Sequence, residues 1–149
     1  MAEHFGRHPA ADIYLSQPGF GTVLAARAPG GFGDDSERFT DARARKNYSG
    51  QSPITRASGK KTVVLARYAT NRRLGAALHL QAFAALGASP GARACYDALR
   101  GRDIGHHAAL RQLASRLVGI LHGCLKTSTL YDEDTAWQHH RTDIQATAA

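Results

Sequence analysis

Over residues 106–126, apolar side chains return every three or four positions: Leu110, Leu113, Leu117, Ile120, Cys124 and Leu125. Arg111, Gln112, Ser115, Arg116 and His122 fall between them, so the spacing predicts an amphipathic helix with those polar residues outward. Gly119 and Gly123 lower its helix propensity but leave room for a close neighbour. A second helix is predicted over residues 71–86, with Leu74, Ala77, Leu78, Ala82, Ala85 and Leu86 inward, Thr70 as N-cap and Gly87 as its end. Ser89-Pro90 reads as an N-cap followed by proline at the first helical position. The short helix it opens would bury Cys95, Tyr96 and Leu99 and stop at Gly101. Thr40 is expected to cap another, ending near Tyr48. "TVVLARY", residues 62–68, is either a short strand or an extended lead into the next helix.

Alanine, leucine and arginine dominate and β-branched residues are few, which makes the expected fold class mostly α. The expectation is a compact helical domain with a helix-hairpin-helix-like element and at most a short strand or extended segment near 62–68. Residues 1–11 read as disordered or partly helical, 12–137 as the domain and 138–149 as a flexible tail.

Charge narrows the partners. Nineteen Lys and Arg against twelve Asp and Glu give +7 and a pI near 9.9. Such a surplus favours polyanions, because each phosphate neutralised releases a counterion; an ordinary basic protein with no such partner is the alternative. Cys95 and Cys124 read as buried small hydrophobes in a reducing cytosol. With no apolar run near eighteen residues and no apolar leader, the expected location is cytoplasmic, on the nucleoid when DNA is bound, with no membrane partner.

Two stretches carry candidate chemistry. In "LSQPGFGTVLAAR", residues 15–27, Pro18-Gly19-Phe20-Gly21 permits a tight turn before a helical run. A helix opening near Gly21 and Thr22 would present free N–H groups that suit a phosphate oxygen. Gly19, Gly21 and Thr22 are therefore candidate DNA contacts, as a helix-hairpin-helix makes them; an ordinary interhelical turn is the alternative. Pro29-Gly30-Gly31 is expected to end that second helix early. In "SPITRASGKK", residues 52–61, Ser58 stands beside Gly59, with Arg56, Lys60 and Lys61 close by. Those cations could hold a phosphate and stabilise charge on its oxygens, or the stretch is a solvated loop. Arg72 and Arg73, with Arg67, could likewise reach phosphate or simply cover a helix face.

The carboxylates do not form a metal-ligand pattern. Asp34, Asp35 and Glu37 read as an acidic turn before a helix, and Asp132, Glu133 and Asp134 as solvated. His106-His107 and His139-His140 have no partners at ligand spacing, so no metal site is assigned.

Taken together, Pro18–Gly21, the acidic turn at Asp34-Asp35, the helix from Thr40 to Tyr48, the Ser49–Pro53 segment and Ser58-Gly59 form an ordered pattern. It resembles the C-terminal domain of bacterial insertion-sequence transposases of the IS110 type, grouped with IS116 and IS902. The likeness runs through residues 12–137. It implies that Ser58 is a nucleophile that attacks a DNA phosphodiester and forms a transient phosphoserine link. It also implies a separate N-terminal RuvC-like domain whose acidic cluster holds magnesium, a structured guide RNA, and oligomeric assembly. No stretch ahead of the Pro18 turn matches that acidic cluster. The chain alone is thus expected to bind no cofactor and not to catalyse strand exchange. It would be a truncated product, a frameshift fragment or the partner of a separately encoded N-terminal half. The alternatives are a non-catalytic DNA- or RNA-binding module and an inactive relic.

Overall fold

The computed structural model describes residues 5–33, 37–52, 54–58, 61–65 and 71–148; for 54–58, 61–65 and 143–148 it gives the backbone course. The elements, in order, are α1 (Ala11–Ser16), α2 (Thr22–Phe32), α3 (Ala42–Tyr48), β1 (Ile54–Ser58), β2 (Lys61–Leu65), α4 (Arg72–Ala88), α5 (Pro90–Gly101), α6 (His106–Thr127) and α7 (Glu133–Ala148). The fold is mostly α, as the apolar periodicity predicts.

Helices α4 and α6 pack against each other through the middle, and the remaining helices close two halves of the core around them. In one half Tyr14, Phe20, Phe32 and Phe39 from the N-terminal part meet Leu74 and Leu78 of α4 and Val118 and Leu121 of α6. In the other, Ala82 and Ala85 of α4 and Cys95 and Leu99 of α5 meet Leu110, Leu113 and Leu117 of α6, with Trp137 of α7 beside them. Burying each of these large side chains contributes about 1.5–3 kcal/mol.

Local signals fixed most helix ends. Ser89 accepts from Ala92 N–H at 3.1 Å with Pro90 as the first residue of α5. The caps of α3 and α4 each fall one residue later than expected. Asp41, not Thr40, accepts from Ala44 N–H at 2.7 Å, and Asn71, not Thr70, accepts from Leu74 N–H at 3.2 Å. A carboxylate or amide oxygen is as good an acceptor as a hydroxyl, so neighbouring candidates compete and geometry decides. Thr70 itself lies outside the described residues, as do Asp34 and Asp35.

Four expectations change. Pro29 does not end α2: the helix continues to Phe32, with Ala28 and Pro29 buried, and Gly33 N–H bonds back to the Pro29 carbonyl. Packing against α4 and the aromatic half-core sustains the last turn despite the missing proline N–H. On α6, His122 is buried instead of outward, together with Val118 and Leu121, while Ile120, Cys124 and Leu125 are half-buried. There the helix is flanked by both α3 and α4, which widens its buried arc. Residues 54–58 form a strand where a loop is the alternative reading, and its partner β2 is the strand foreseen near 62–68. Finally, the chain is helical through Ala148, across the span read as a flexible tail.

The two strands pair antiparallel, from Ile54 opposite Leu65 to Ser58 opposite Lys61. Ile54, Thr55, Thr62, Val63 and Val64 supply the β-branched residues that favour extended backbone. Among the described elements, the hairpin's extensive contacts are between its own strands.

Candidate nucleic-acid interface

The Pro18 turn has an inner and an outer half. Gln81, buried in α4, donates from Nε2 to the Pro18 carbonyl at 3.1 Å. Gly19 has φ +80°, and a Cβ there would overlap the Gln81 carbonyl oxygen and lie 2.8 Å from Ala85 N. Glycine at 19 is therefore required both by its left-handed backbone and by the approach of α4. Phe20 is buried beside Tyr14. Gly21 and Thr22 are exposed at the start of α2, where Gly21 is extended and no side chain caps the helix. The uncapped first-turn N–H groups of an eleven-residue helix can donate to an anion.

Arg72 and Arg73 are exposed in the first turn of α4, but not beside that turn. Helix α2 runs along α4 so that Gly19 meets Ala85 and Gly31 meets Leu74. At 1.5 Å per residue, the arginines lie about 16 Å or more along α4 from Gly21 and Thr22. The structure thus separates two groups of candidate cation and donor sites.

Ser58 is the last residue of β1, with Lys61 as its cross-strand partner. Position 56, occupied by arginine, is two residues back and so on the same side of the ribbon. Gly59 and Lys60 lie outside the described residues, as does Arg67.

Two buried arrangements have no counterpart in the sequence reading. Arg45 of α3 is 5% exposed, and its Nε donates to His122 Nδ1 at 3.1 Å. Its guanidinium lies 4.7 Å and 4.6 Å from the ring centres of Phe32 and Phe39. Glu133, read as solvated, accepts from Ser89 Oγ at 2.8 Å, from Gly91 N–H at 2.7 Å and from the Tyr131 hydroxyl. Burial, and then the bond to Glu133, push the Tyr131 hydroxyl up to about 12, so it stays protonated and donates. Trp137 Nε1 donates to the same hydroxyl at 2.8 Å. The neighbouring Asp132 accepts from Thr135 N–H at 2.9 Å, a bond that lowers its pKa.

Lys46 was also missed. Its stem crosses α6 at Gly119, where a Cβ would lie 3.1 Å from Cε and 3.2 Å from Nζ. Arg116, one turn earlier on α6, acts on the same ammonium. The available signal was Gly119: a glycine in mid-helix with no turn to make requires another reason.

Among the described residues, no group of three or more His, Cys, Asp or Glu side chains is arranged to hold a metal ion. No described helix is long and apolar enough to cross a membrane.

Known proteins are similar to this chain in sequence. It is 50% identical over 92% of its length to a mini-circle IS117 protein of Streptomyces coelicolor, covering 33% of that relative. It is 34% identical over 91% of its length to the insertion element IS900 42 kDa protein of Mycobacterium paratuberculosis, covering 34% of it. It is also 34% identical over 84% of its length to the insertion element IS110 43.6 kDa protein of Streptomyces coelicolor, covering 31% of it. The chain thus spans about a third of the length of these relatives. Residues 11–97, from α1 into α5 and including the hairpin, match the family described as transposase IS116/IS110/IS902. By that match and by these identities, the chain belongs to the IS116/IS110/IS902 transposase family.

Proposed function

We propose that this chain is the DNA-binding, serine-bearing part of an insertion-sequence transposase, with Ser58 as the nucleophile. The observation that carries the reading is the family match across residues 11–97, which includes Ser58 at the end of β1 opposite Lys61. In the proposed step the Ser58 hydroxyl loses its proton and its oxygen bonds to a backbone phosphorus. The phosphorus–oxygen bond to one DNA strand breaks, and that strand leaves with the electron pair and takes up a proton. Arg56, Lys60 and Lys61 supply positive charge around the phosphate, and Gly59 leaves space for its approach. Gly21 and Thr22 at the start of α2, and Arg72 and Arg73 at the start of α4, would hold the duplex backbone at two separate places. Gly19 serves by shaping the turn against α4.

In this proposal magnesium is supplied with a separate acidic domain, where it would neutralise charge on the attacking and leaving oxygens. A structured guide RNA and assembly with further transposase chains belong to the same proposal.

The test is a covalent one. Incubated with an intact N-terminal transposase domain, guide RNA and labelled donor DNA, the chain should form an adduct that survives denaturation. Ser58→Ala should abolish it. An adduct that persists in Ser58→Ala would remove Ser58 from the role.

The uncapped, exposed start of α2 favours a second reading, a module that binds nucleic acid without chemistry. It predicts duplex binding that weakens steeply with salt and is the same in Ser58→Ala, with no adduct under any condition.

A further inference from the structure

Between α3, α5, α6 and α7 the surface opens into a cleft of about 1900 Å³. Its floor is largely apolar and includes Leu99 and Ile120. Lys46, Arg102, Arg111 and Arg116 line it, against a single described carboxylate, Asp132, which is already engaged by Thr135 N–H. Lys46 reaches the cleft by lying across Gly119, next to Arg116. Burial first, and then Arg116, lower the Lys46 pKa from its ordinary value. Neither cation is ion-paired to a carboxylate among the described residues. Two like charges held together beside an apolar floor are costly until an anion joins them.

We propose that this cleft binds a single-stranded nucleic-acid segment, with phosphates against Lys46 and Arg116 and bases over the apolar floor. Unpaired bases present flat apolar faces to such a floor, whereas a duplex hides them, and the four cations lining the cleft against one carboxylate match a phosphate backbone. Ser52 lines the same cleft and precedes Ser58 by six residues, so the bound strand would lie close in sequence to the start of the hairpin. The inference rests on the nucleic-acid reading above but uses neither Ser58 nor the start of α2.

Fluorescence anisotropy on the full chain tests it, with dT and rU strands of about twelve nucleotides and a mixed-sequence duplex as probes. Lys46→Met keeps the stem over Gly119 and removes the charge; Arg116→Gln is its companion. Each should weaken single-strand binding about 5–10-fold at low salt and make the salt slope shallower by about 0.7. Duplex affinity should change little. Arg93→Gln, outside the cleft and paired with Asp97, controls for net charge. Lys46→Met should melt no lower than the parent, because it relieves repulsion, so lost binding would not reflect unfolding. Tighter binding of dT or rU by the parent supports the cleft and tells DNA from RNA as the source. Unchanged single-strand affinity in both variants, or an equal loss in Arg93→Gln, overturns the cleft; if the duplex is still bound, the proposed function stands. An unaltered nucleic-acid affinity would leave an acidic protein helix as the occupant. A parent that binds neither strand nor duplex sinks the nucleic-acid reading, and the cleft with it.

Discussion

Arg45 carries its charge at 5% exposure, and the surroundings explain how. Phe32 and Phe39 present ring faces to the guanidinium, and His122 accepts its Nε proton, which requires an unprotonated Nδ1. Burial, then Arg45 and Lys126, lower the His122 pKa against the opposite pull of Asp41. His79 is lowered likewise, by burial and then His107, Arg111 and His106. The ordinary value for both is 6.5, so on acidification the unfolded chain takes up these protons first. Their contribution to stability is complete above that value and is lost as pH falls through the interval down to the lower folded values. The melting temperature should therefore fall as the pH is lowered through and below about 6.5. His122→Gln, which keeps an acceptor for Arg45, should make that drop smaller without removing it, because His79 remains. None of this was legible in sequence. Arg45 and His122 are 77 positions apart, and a histidine between two outward-reading arginine positions and a basic helix end looks solvent-facing until α3 is placed over it.

At the scale of elements, α5 and α7 are joined by a clasp of polar groups. Glu133 places its carboxylate at the first turn of α5, where it accepts from Gly91 N–H and Ser89 Oγ, and Tyr131 ties that carboxylate to Trp137. The sequence marks the Ser89-Pro90 start plainly, because capping is read from adjacent residues. It does not mark Glu133 as the second acceptor, because that contact spans 42 positions. Tyr131→Phe would leave Trp137 Nε1 and Glu133 each short of a partner and should lower stability by about 1–3 kcal/mol in denaturant titration. Gly91→Ala would drive a Cβ into the Trp137 ring and should cost about the same, by overpacking. The hairpin was half legible for a related reason. The valines of β2 announce a strand, whereas the serines, lysines and proline around β1 outweigh Ile54 and Thr55 when the segment is read as a ten-residue composition. Pairing with β2 decides the matter, and pairing is not a local property.

For the whole molecule, the family match ends at residue 97, yet the fold does not. Helix α6 supplies buried residues to both halves of the core, and Trp137 completes one of them. A fragment ending near residue 104 would expose the α4 and α5 faces that α6 covers. It should lose the cooperative melting transition and aggregate, whereas a chain ending after residue 142, which keeps Trp137, should retain the transition. Circular dichroism with gel filtration distinguishes the two. The central helices were readable in advance because periodicity reports burial directly; the choice of which polar residues the cleft and the core would enclose was not, because it depends on how α3 crosses α6.

The strand pair leans chiefly on itself, while cohesion resides in the helices on either side of α4 and α6. Under the function proposed above, reactivity and thermal endurance would thus be separable properties of this polypeptide. Exchanging the hydroxyl at position 58 for hydrogen should yield a protein whose melting curve overlays that of the parent. Under that same function, a copy altered in this way would accumulate as a well-folded competitor of intact transposase chains, escaping the proteases that clear unstable chains.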